Sequence, residues 1–472
     1  MGLVTPVPAV PVEKLGRVHF VGIGGAGMSG IARIMLGRGV AVSGSDRAAS
    51  PQLDELARLG ATVYVGHAGE HVAGADTIVT TPSAIGDRNV EIVEARRLGI
   101  PVLPRAAALA SIMMGKLGIA ISGTHGKTTI TSMLTTVLRH SGADPSYVIG
   151  GILAETGLGA DEGTGEWFVA EADESDGSFL MLSPAAAVVT CIEAEHLDNY
   201  TDLAEIEATF AAFVGKIREG GLLVAGRDDP GAAALAASAA RLPLRVRTYG
   251  ESPEADYRVT GVGVAGMTTR LTVTSAVTGP HSLTVAVPGR HYALNAAAAF
   301  AVAVELGLPA PTVIAGLEAY RGAQRRMEPK GEADGVRVLD SYAHHPTELA
   351  ADLTAARDVA GGGRVIAVFQ PHLYSRTRFF AAQFGAALGL ADEALVLDIY
   401  AAREEPEPGV SGRLVADAVP GGRGRFLPDA AAVPEVVAGL AKPGDLVLTM
   451  GAGDVTSLGP LIVAALHARA GE

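Results

Sequence analysis

Residues 116–136, KLGIAISGTHGKTTITSMLTT, constrain this chain more than any other stretch. Residues 117–122 read as a short buried strand. Gly123-Thr124-His125-Gly126-Lys127-Thr128-Thr129 reads as a glycine turn, and a helix begins near Lys127. The two glycines free the backbone so that its N–H groups can converge on an anion. The helix start adds partial positive charge at the same spot, and Lys127 adds a full one. The hydroxyl of Thr128 or Thr129 can ligate a magnesium ion held against phosphate. Ile121 stands where the first glycine of G-x-x-x-x-G-K-[ST] is expected. The bland alternative is a strand-turn-helix with incidental glycines. A Gly-Lys-Thr-Thr core in that context points instead to a nucleoside-triphosphate site.

A chain of 472 residues with a net charge of −14 must make such a site positive only locally, through amides, a few cations and a metal. The same charge argues against a broad nucleic-acid or anionic-membrane surface. Length predicts two to four domains. The single cysteine, Cys191, excludes an internal disulfide and fits a reducing, cytoplasmic setting. Residues 1–15 read as a loose tail and not as a signal peptide, and no apolar run is long enough to span a membrane.

Residues 1–115 are expected to form the first domain. Strand 17–21 leads into Gly22-Ile23-Gly24-Gly25-Ala26-Gly27, then a helix to Gly37, then strand 40–43, with Asp46 just beyond. Glycines for the turn, a helix start for a diphosphate and an acid for a ribose hydroxyl make a dinucleotide-type fingerprint. It specifies a diphosphate at a βα turn more securely than it specifies NAD. Further strands at 62–65, 77–80 and 102–103 alternate with helices at 54–59, 89–98 and 106–113, which predicts a parallel sheet. Ser83 and Arg105 are placed in loops with plausible ligand contacts.

Residues 116–320 are expected to form the second domain. Strand 166–170 runs into Glu171-Ala172-Asp173-Glu174-Ser175-Asp176, four carboxylates in six residues. At a strand's carboxyl end beside a triphosphate they suggest magnesium rather than zinc. Strand 187–192 ends in Glu193-Ala194-Glu195-His196-Leu197-Asp198, a second ligand candidate. The alternation over 258–274 and 283–287 suggests an antiparallel appendage. Gly289-Arg290-His291-Tyr292-Ala293-Leu294-Asn295 opens an alanine-rich helix, and Asn295 could read an adenine edge.

Residues 321–472 are expected to form a third domain, with strands at 336–339, 364–369, 394–398 and 446–450. The first leads into Asp340-Ser341-Tyr342-Ala343-His344-His345, the second into Gln370-Pro371-His372-Leu373-Tyr374-Ser375-Arg376-Thr377-Arg378. Cations and histidines at strand ends, with Arg325 and Arg326 nearby, are best explained by anion binding.

In order along the chain, HFVGIGGAGMSGIA, SGTHGKTT, EADESDGSF, IEAEHLDNY, HHPTE, FQPH and YAAREEPEPG resemble the Mur ligases, the ATP-dependent amino-acid ligases of peptidoglycan synthesis. The resemblance covers residues 17–470. It is nearest the branch that joins L-alanine to UDP-N-acetylmuramate through an acyl phosphate and a tetrahedral intermediate. It implies an α/β fold of three domains: a Rossmann-like UDP-binding domain, a P-loop ATPase-like central domain with a mostly parallel sheet, and a Rossmann-like C-terminal domain that supplies the amino acid and closes the site on binding ATP.

The residue roles below are those the resemblance implies. Gly123, Thr124, Gly126, Lys127, Thr128, Thr129, His291, Asn295, Arg326 and Asp340 would bind ATP. Gly22, Gly24, Gly25, Ala26, Gly27, Asp46, Ser83, Arg105 and His125 would bind the UDP-sugar. Thr128, Glu171 and His196 would ligate Mg2+. Lys127, His125, Glu171, His196 and Arg326 would be catalytic. Tyr342, His344, Arg376 and Arg378 would hold L-alanine, with the two arginines as a fork on its carboxylate. The expected partners are small-molecule substrates, with no nucleic acid and no membrane insertion, in a monomer or homodimer.

The chain departs from the family's runs at Tyr292 (for Asn in GRHN), Met327 (for Phe), Ser341 and Ala343 (for Asp and Gly in DDYGHH) and Cys191 (for Asn). Rival readings are the recycling ligase that attaches a preformed peptide, an NAD-dependent dehydrogenase and a non-catalytic ATP-binding scaffold. The dehydrogenase leaves the GKTT loop and the acid clusters unexplained.

Overall fold

The computed structural model describes residues 3–81, 88–197, 199–402 and 404–470. The first sheet is built from β1 (Val18–Val21), α1 (Ala26–Gly37), β2 (Val42–Asp46), α2 (Pro51–Arg58), β3 (Thr62–Val65), β4 (Thr77–Thr80), α3 (Val90–Leu98), β5 (Val102–Pro104) and α4 (Arg105–Met113). The strands lie in the order β3-β2-β1-β4-β5, and every pairing is parallel. All four residues of β1 are buried, as a central parallel strand covered on both faces requires. The order reverses at β1, so the ligand crevice falls at its carboxyl end, where the Gly22 turn begins.

Two expectations change here. Arg105 is not in a loop: it opens α4, directly after Pro104, whose fixed φ leads into the helix. The stretch read as a loose tail is docked. Val12 and Leu15 are buried, and the Val4 N–H donates to the Asp176 carbonyl at 2.9 Å. Val4 and Val7 pack against Ala106, Ala107 and Met181, and the three prolines lower the chain entropy that this docking has to overcome.

The second sheet is built from β6 (Leu117–Ser122), α5 (Lys127–His140), β7 (Ser146–Leu153), β8 (Leu158–Asp161), β9 (Trp167–Glu171), β10 (Ala186–Val189), α6 (Leu203–Val214), β11 (Leu222–Gly226), α7 (Pro230–Ala239), β12 (Arg245–Gly250), β13 (Tyr257–Ala265), β14 (Thr268–Ser275), β15 (Gly279–Val285), α8 (Arg290–Glu305) and α9 (Ala310–Ala319). Its order is β15-β14-β13-β12-β11-β10-β6-β9-β7-β8. The pairings from β12 through β7 are parallel, and β8 is antiparallel to β7. Helix α5 is buried along most of its length despite its threonines. Thr131, Ser132 and Thr136 return their hydroxyls to the carbonyls of Lys127, Thr128 and Ser132, so no water is needed to satisfy them.

The third sheet is built from β16 (Glu328–Ala333), β17 (Val336–Ser341), α10 (Pro346–Ala360), β18 (Val365–Phe369), α11 (Tyr374–Leu388), β19 (Glu393–Val396), α12 (Arg413–Asp417), β20 (Gly424–Phe426), α13 (Val433–Leu440), β21 (Leu446–Met450) and α14 (Leu458–Ala470). The order is β16-β17-β21-β18-β19-β20, parallel except for β16. Contacts divide the chain into two compact units. One holds residues through Thr260, Thr272–His281 and Leu294–Tyr320; the other holds Gly261–Leu271, Ser282–Ala293 and the chain from Arg321 on. Residues 261–271 and 282–293, expected in the second domain, are thus grouped with the chain from Arg321 on. Among the described residues no helix is long and apolar enough to cross a membrane.

Beneath the first glycine turn sits a fully buried carboxylate, Glu91. Ser45 donates its hydroxyl to Oε2 at 2.5 Å; Nδ1 of His71 lies 2.8 Å from Oε1 and Nδ1 of His67 lies 3.1 Å from Oε2. The carbonyl of Ser45 accepts the N–H groups of Gly22 and Ile23 at 2.8 and 3.0 Å, so the hub reaches the turn through one residue. Burial pushes the Glu91 carboxyl up, but hydrogen bonds from His19, Ser45 and His71 hold it down at about 2, against 4.5 for an ordinary glutamate. That depression stabilises the fold by about 3 kcal/mol when both states are ionised. The contribution is complete above the unfolded value near 4.5 and is lost as pH falls toward 2. Glu91→Gln should therefore lower unfolding stability by a few kcal/mol at pH 7 by urea titration, and the gap from the parent should shrink on going from pH 5 to pH 3.

Candidate active site

The turn after β6 is built on two left-handed glycines, Gly123 (φ 119°) and Gly126 (φ 86°). A Cβ on Gly123 would stand 2.0 Å from Thr190 Oγ1, and one on Gly126 would stand 2.7 Å from Asn295 Oδ1. Asn295 on α8 therefore lies against the turn, where a nucleotide contact is expected of it. Thr124, Thr128 and Thr129 are buried in and just after the turn. The Lys127 ammonium donates to the carbonyls of Gly123 (2.7 Å) and Thr124 (3.2 Å) and to Glu174 Oε1 (2.7 Å). Burial works against its charge, but Glu174, then Asp173 and Glu195, more than offset this and raise its pKa above the usual lysine value.

β9 and β10 flank β6 on its two sides, so the three strand-end motifs converge on one edge. Glu171 is the last residue of β9, and its Oε1 accepts the Gly150 N–H at 2.6 Å. A Cβ on Gly150 would strike Glu171 Oε2 at 2.7 Å, and one on Gly151 would stand 3.1 Å from Thr128 Cγ2. Strand β7, which the sequence reading did not assign, thus packs on two of the three expected magnesium ligands. The third, His196, has φ 55°. Its Nε2 lies 3.5 Å from Glu195 Oε2 and 3.7 Å from Glu174 Oε1. Burial disfavours its imidazolium, yet Glu174, Glu195 and Asp173 prevail and raise its pKa. Oε2 of Glu174 is buried with no hydrogen-bond partner among the described residues. An acidic pocket with an unsatisfied carboxylate oxygen fits a hard cation held by oxygen ligands. His125 Nε2 lies 3.5 Å from Glu193 Oε2, and the His125 carbonyl accepts the Thr190 hydroxyl at 2.6 Å.

The first sheet's turn belongs to the same unit. Gly22 has φ 84°, Gly25 caps α1, and Ala26 and Gly27 form its first residues. Asp46 closes β2 instead of lying beyond it; its Oδ2 accepts the Gly24 N–H at 2.9 Å and its Oδ1 the Arg47 N–H at 2.7 Å. The acid expected at a ribose here braces the turn. Arg105 links the first turn to the acid cluster after β9. Its Nη1 would be 3.1 Å from a Cβ on Gly27, and its Nη2 donates to Asp173 Oδ2 at 3.0 Å. Burial pushes Asp173 up, but Arg105 and then Lys127 hold it down at about 2. Ser83 lies outside the described residues.

In the other unit the Tyr342 ring carries two guanidinium groups, Arg325 at 4.8 Å and Arg326 at 5.4 Å from its centroid. His344 packs edge-on to Tyr342 at 5.2 Å, His372 lies 6.2 Å from His344, and Tyr400 stacks on His372 at 5.8 Å. Arg376 Nη1 comes within 3.5 Å of His372 Nδ1. Arg378 does not join it. Two residues apart on α11, the side chains point to different sides of the helix, and Arg378 pairs outward with Glu407 at 3.1 Å. The expected arginine fork is not formed. Asp340 is also differently placed, because β17 extends through Ser341 and carries it into the sheet. It is fully buried, accepts the hydroxyls of Thr449 and Thr456 at 2.6 and 2.7 Å, and lies 3.4 Å from Arg325 Nε. It therefore braces Arg325 and is not presented to a ligand. His291, at the start of α8, pairs through Nε2 with Asp352 Oδ1 at 3.1 Å.

A glycine turn with a lysine held by acids on the flanking strand ends fits a nucleoside-triphosphate site, and comparison with known proteins supplies the family. The profiles of the Mur ligase family catalytic domain, the Mur ligase middle domain and the Mur ligase glutamate ligase domain match residues 17–117, 121–303 and 325–453. The chain belongs to the Mur ligase family. It is 58% identical to a UDP-N-acetylmuramate–L-alanine ligase of Thermobifida fusca over 99% of this chain and 100% of the relative. Identity to the enzyme of that name from Mycobacterium marinum is 50%, over 97% and 96%. Among solved structures it superposes on the UDP-N-acetylmuramate–alanine ligase MurC of Thermotoga maritima with a TM-score of 0.81 at 27% identity, covering 97% of this chain and 100% of that one.

Sequence reasoning gave no individual role to Glu174, Asp173, Thr190 or Asp352. The acids were visible as a cluster, but Lys127 and Glu174 are 47 residues apart, and only the β9–β6 pairing brings them together. Gly126→Ala combines a forbidden φ with a clash on Asn295. We expect it to lose about 1–3 kcal/mol of stability in urea titration and to weaken ATP binding at least about tenfold in calorimetry.

Proposed function

We infer that this chain joins L-alanine to the lactyl carboxyl of UDP-N-acetylmuramate with cleavage of ATP to ADP and phosphate, the first amino-acid addition in peptidoglycan precursor synthesis. The observation that carries the reading is the Arg105 link. One guanidinium lies against the glycine turn of the first sheet and bonds the acid cluster of the second, within one compact unit. A sugar nucleotide anchored by its diphosphate on the first turn would direct its carboxylate toward the second.

The lactyl carboxylate oxygen attacks the γ-phosphorus of ATP, and the bond to the β-γ bridging oxygen breaks to release ADP. The amine of L-alanine then attacks the acyl carbon, and phosphate leaves with the C–O electron pair as the amine loses its proton. Two anions meet in the first step, so the chain must offset charge there. Lys127 does so by exchanging Glu174 for triphosphate oxygens, with the amides of residues 123–127 around it. His125 lies in that turn and would face the acceptor carboxylate. Thr128, Glu171 and His196 would hold Mg2+, which when bound spreads the negative charge of the transferring phosphoryl group. Asn295 and His291 would contact the adenine, Arg326 the phosphates, and Tyr342, His344 and Arg376 the alanine. Gly22, Gly24, Gly25, Ala26, Gly27 and Arg105 would hold the UDP-sugar.

The whole-length relatives at half identity or more favour L-alanine over a preformed peptide as the amine. Phosphate release that requires UDP-N-acetylmuramate and L-alanine together tests the reading; release with the tripeptide and none with L-alanine would replace it with the recycling reaction. Lys127→Ala should reduce turnover by at least about a thousandfold and leave UDP-sugar affinity within a few-fold. Arg105→Ala should raise KM for UDP-N-acetylmuramate about tenfold, as expected for one charged hydrogen bond, with KM for ATP little changed in initial-rate assays.

A further inference from the structure

Asp352 lies in the second turn of α10, nine-tenths buried among Leu349, Leu353, Ala355 and Ala356. A carboxylate in such a place is costly unless both oxygens are engaged. Here they are. Oδ1 lies 3.1 Å from His291 Nε2, and Oδ2 accepts the hydroxyl of Ser341. The same Ser341 oxygen accepts the Ala343 N–H at 3.0 Å. Asp352 thus connects the start of α8 to the turn that carries Tyr342 and His344.

Ser341, the last residue of β17, carries no charge of its own; it donates to an acid supplied from the next helix, and that same acid pairs directly with His291. The His344 side chain continues the line, its Nδ1 lying 2.9 Å from the Tyr342 carbonyl. Asp352 therefore holds the His291 imidazole directly and the backbone of the 341–343 turn through Ser341, while Glu348 accepts the His344 N–H at 3.0 Å and lies 3.3 Å from its Nδ1.

We propose that Asp352 is a positioning residue on α10 that couples the nucleotide contact of His291 to the amino-acid contacts of the turn carrying Tyr342 and His344. The proposal rests on the functional reading above. Asp352 touches no substrate; it fixes the rotamer of His291 and the path of residues 341–344. Loss of its charge should affect two substrates together and leave the third alone.

The test is initial-rate kinetics of the full chain with each substrate varied in turn. Turnover of the parent with L-alanine tests the functional reading by itself. Given that turnover, Asp352→Asn should raise KM for ATP and for L-alanine each about tenfold, with KM for UDP-N-acetylmuramate unchanged. Ser341→Asp added to Asp352→Asn should restore both KM values to within about threefold of the parent. Ser341→Asp alone, which opposes two carboxylates, should be worse than the double variant. Ser341→Ala keeps the acid and cuts the link to the turn, so it should raise KM for L-alanine more than KM for ATP; it also serves if Asp352→Asn does not fold. A fall in melting temperature with all three KM values unchanged would make Asp352 merely structural and overturn the proposal. So would failure of Ser341→Asp to rescue a folded Asp352→Asn.

Discussion

The phosphate turn depends on one buried ion pair, Lys127 with Glu174 at 2.7 Å. Its gross Coulomb energy at an interior dielectric near 20 is on the order of 6 kcal/mol, and desolvating the two ions costs several kcal/mol each. The two terms nearly cancel. The pair therefore holds the ammonium in place at little net gain, and an incoming triphosphate can take over from Glu174 without having to overcome a deep well. Leaving Lys127 buried with no anion would be far more costly. A charged P-loop lysine and an acid on the next strand end are thus one requirement with two parts.

The same edge explains glycines outside the turn. Gly150 and Gly151 of β7 stand where any side chain would strike Glu171 or approach Thr128. The Gly150 N–H fixes the Glu171 carboxylate, which the proposed function would use as a metal ligand. Arg105 extends the network to the first sheet through Asp173, and Glu91 stiffens that sheet's turn from below through Ser45. Each anionic group here is matched to a cation or a donor. A chain with a net charge of −14 can therefore keep a phosphate site at all.

Local chemistry was legible in the sequence; pairing across distance was not. Residues 117–122 form a strand as read, because an unbroken apolar run before a glycine turn has one sensible structure. Strand β7 was not assigned; its two central glycines interrupt the apolar pattern, although its first half is fully buried. Asp46 ends β2 where it was expected just beyond, and sequence could not tell that its carboxylate would be used by the Gly24 amide. Arg376 and Arg378 looked like a fork in a linear string; on a helix, two-residue spacing separates them. The link from Asp352 to Ser341 spans 11 residues and two elements, and no periodicity announces it.

Seven of the described non-glycine residues adopt positive φ, among them His196 (φ 55°), Arg325 (φ 60°) and Leu373 (φ 70°). Each costs about 1–2 kcal/mol relative to an unstrained residue. Glycine would remove the cost, so the side chains must repay it. At His196 the carbonyl accepts the N–H groups of Asn199 and Tyr200 at 2.8 and 3.0 Å, and the imidazole is turned toward Glu174 and Glu195. At Arg325 the carbonyl accepts the Tyr342 N–H at 2.7 Å, and the guanidinium lies over the Tyr342 ring. At Leu373 the N–H donates to the Tyr400 carbonyl at 3.0 Å, one residue past His372 and just before α11. In each case backbone hydrogen bonds hold the strained φ, so the surrounding fold and not the residue's own preference fixes the conformation.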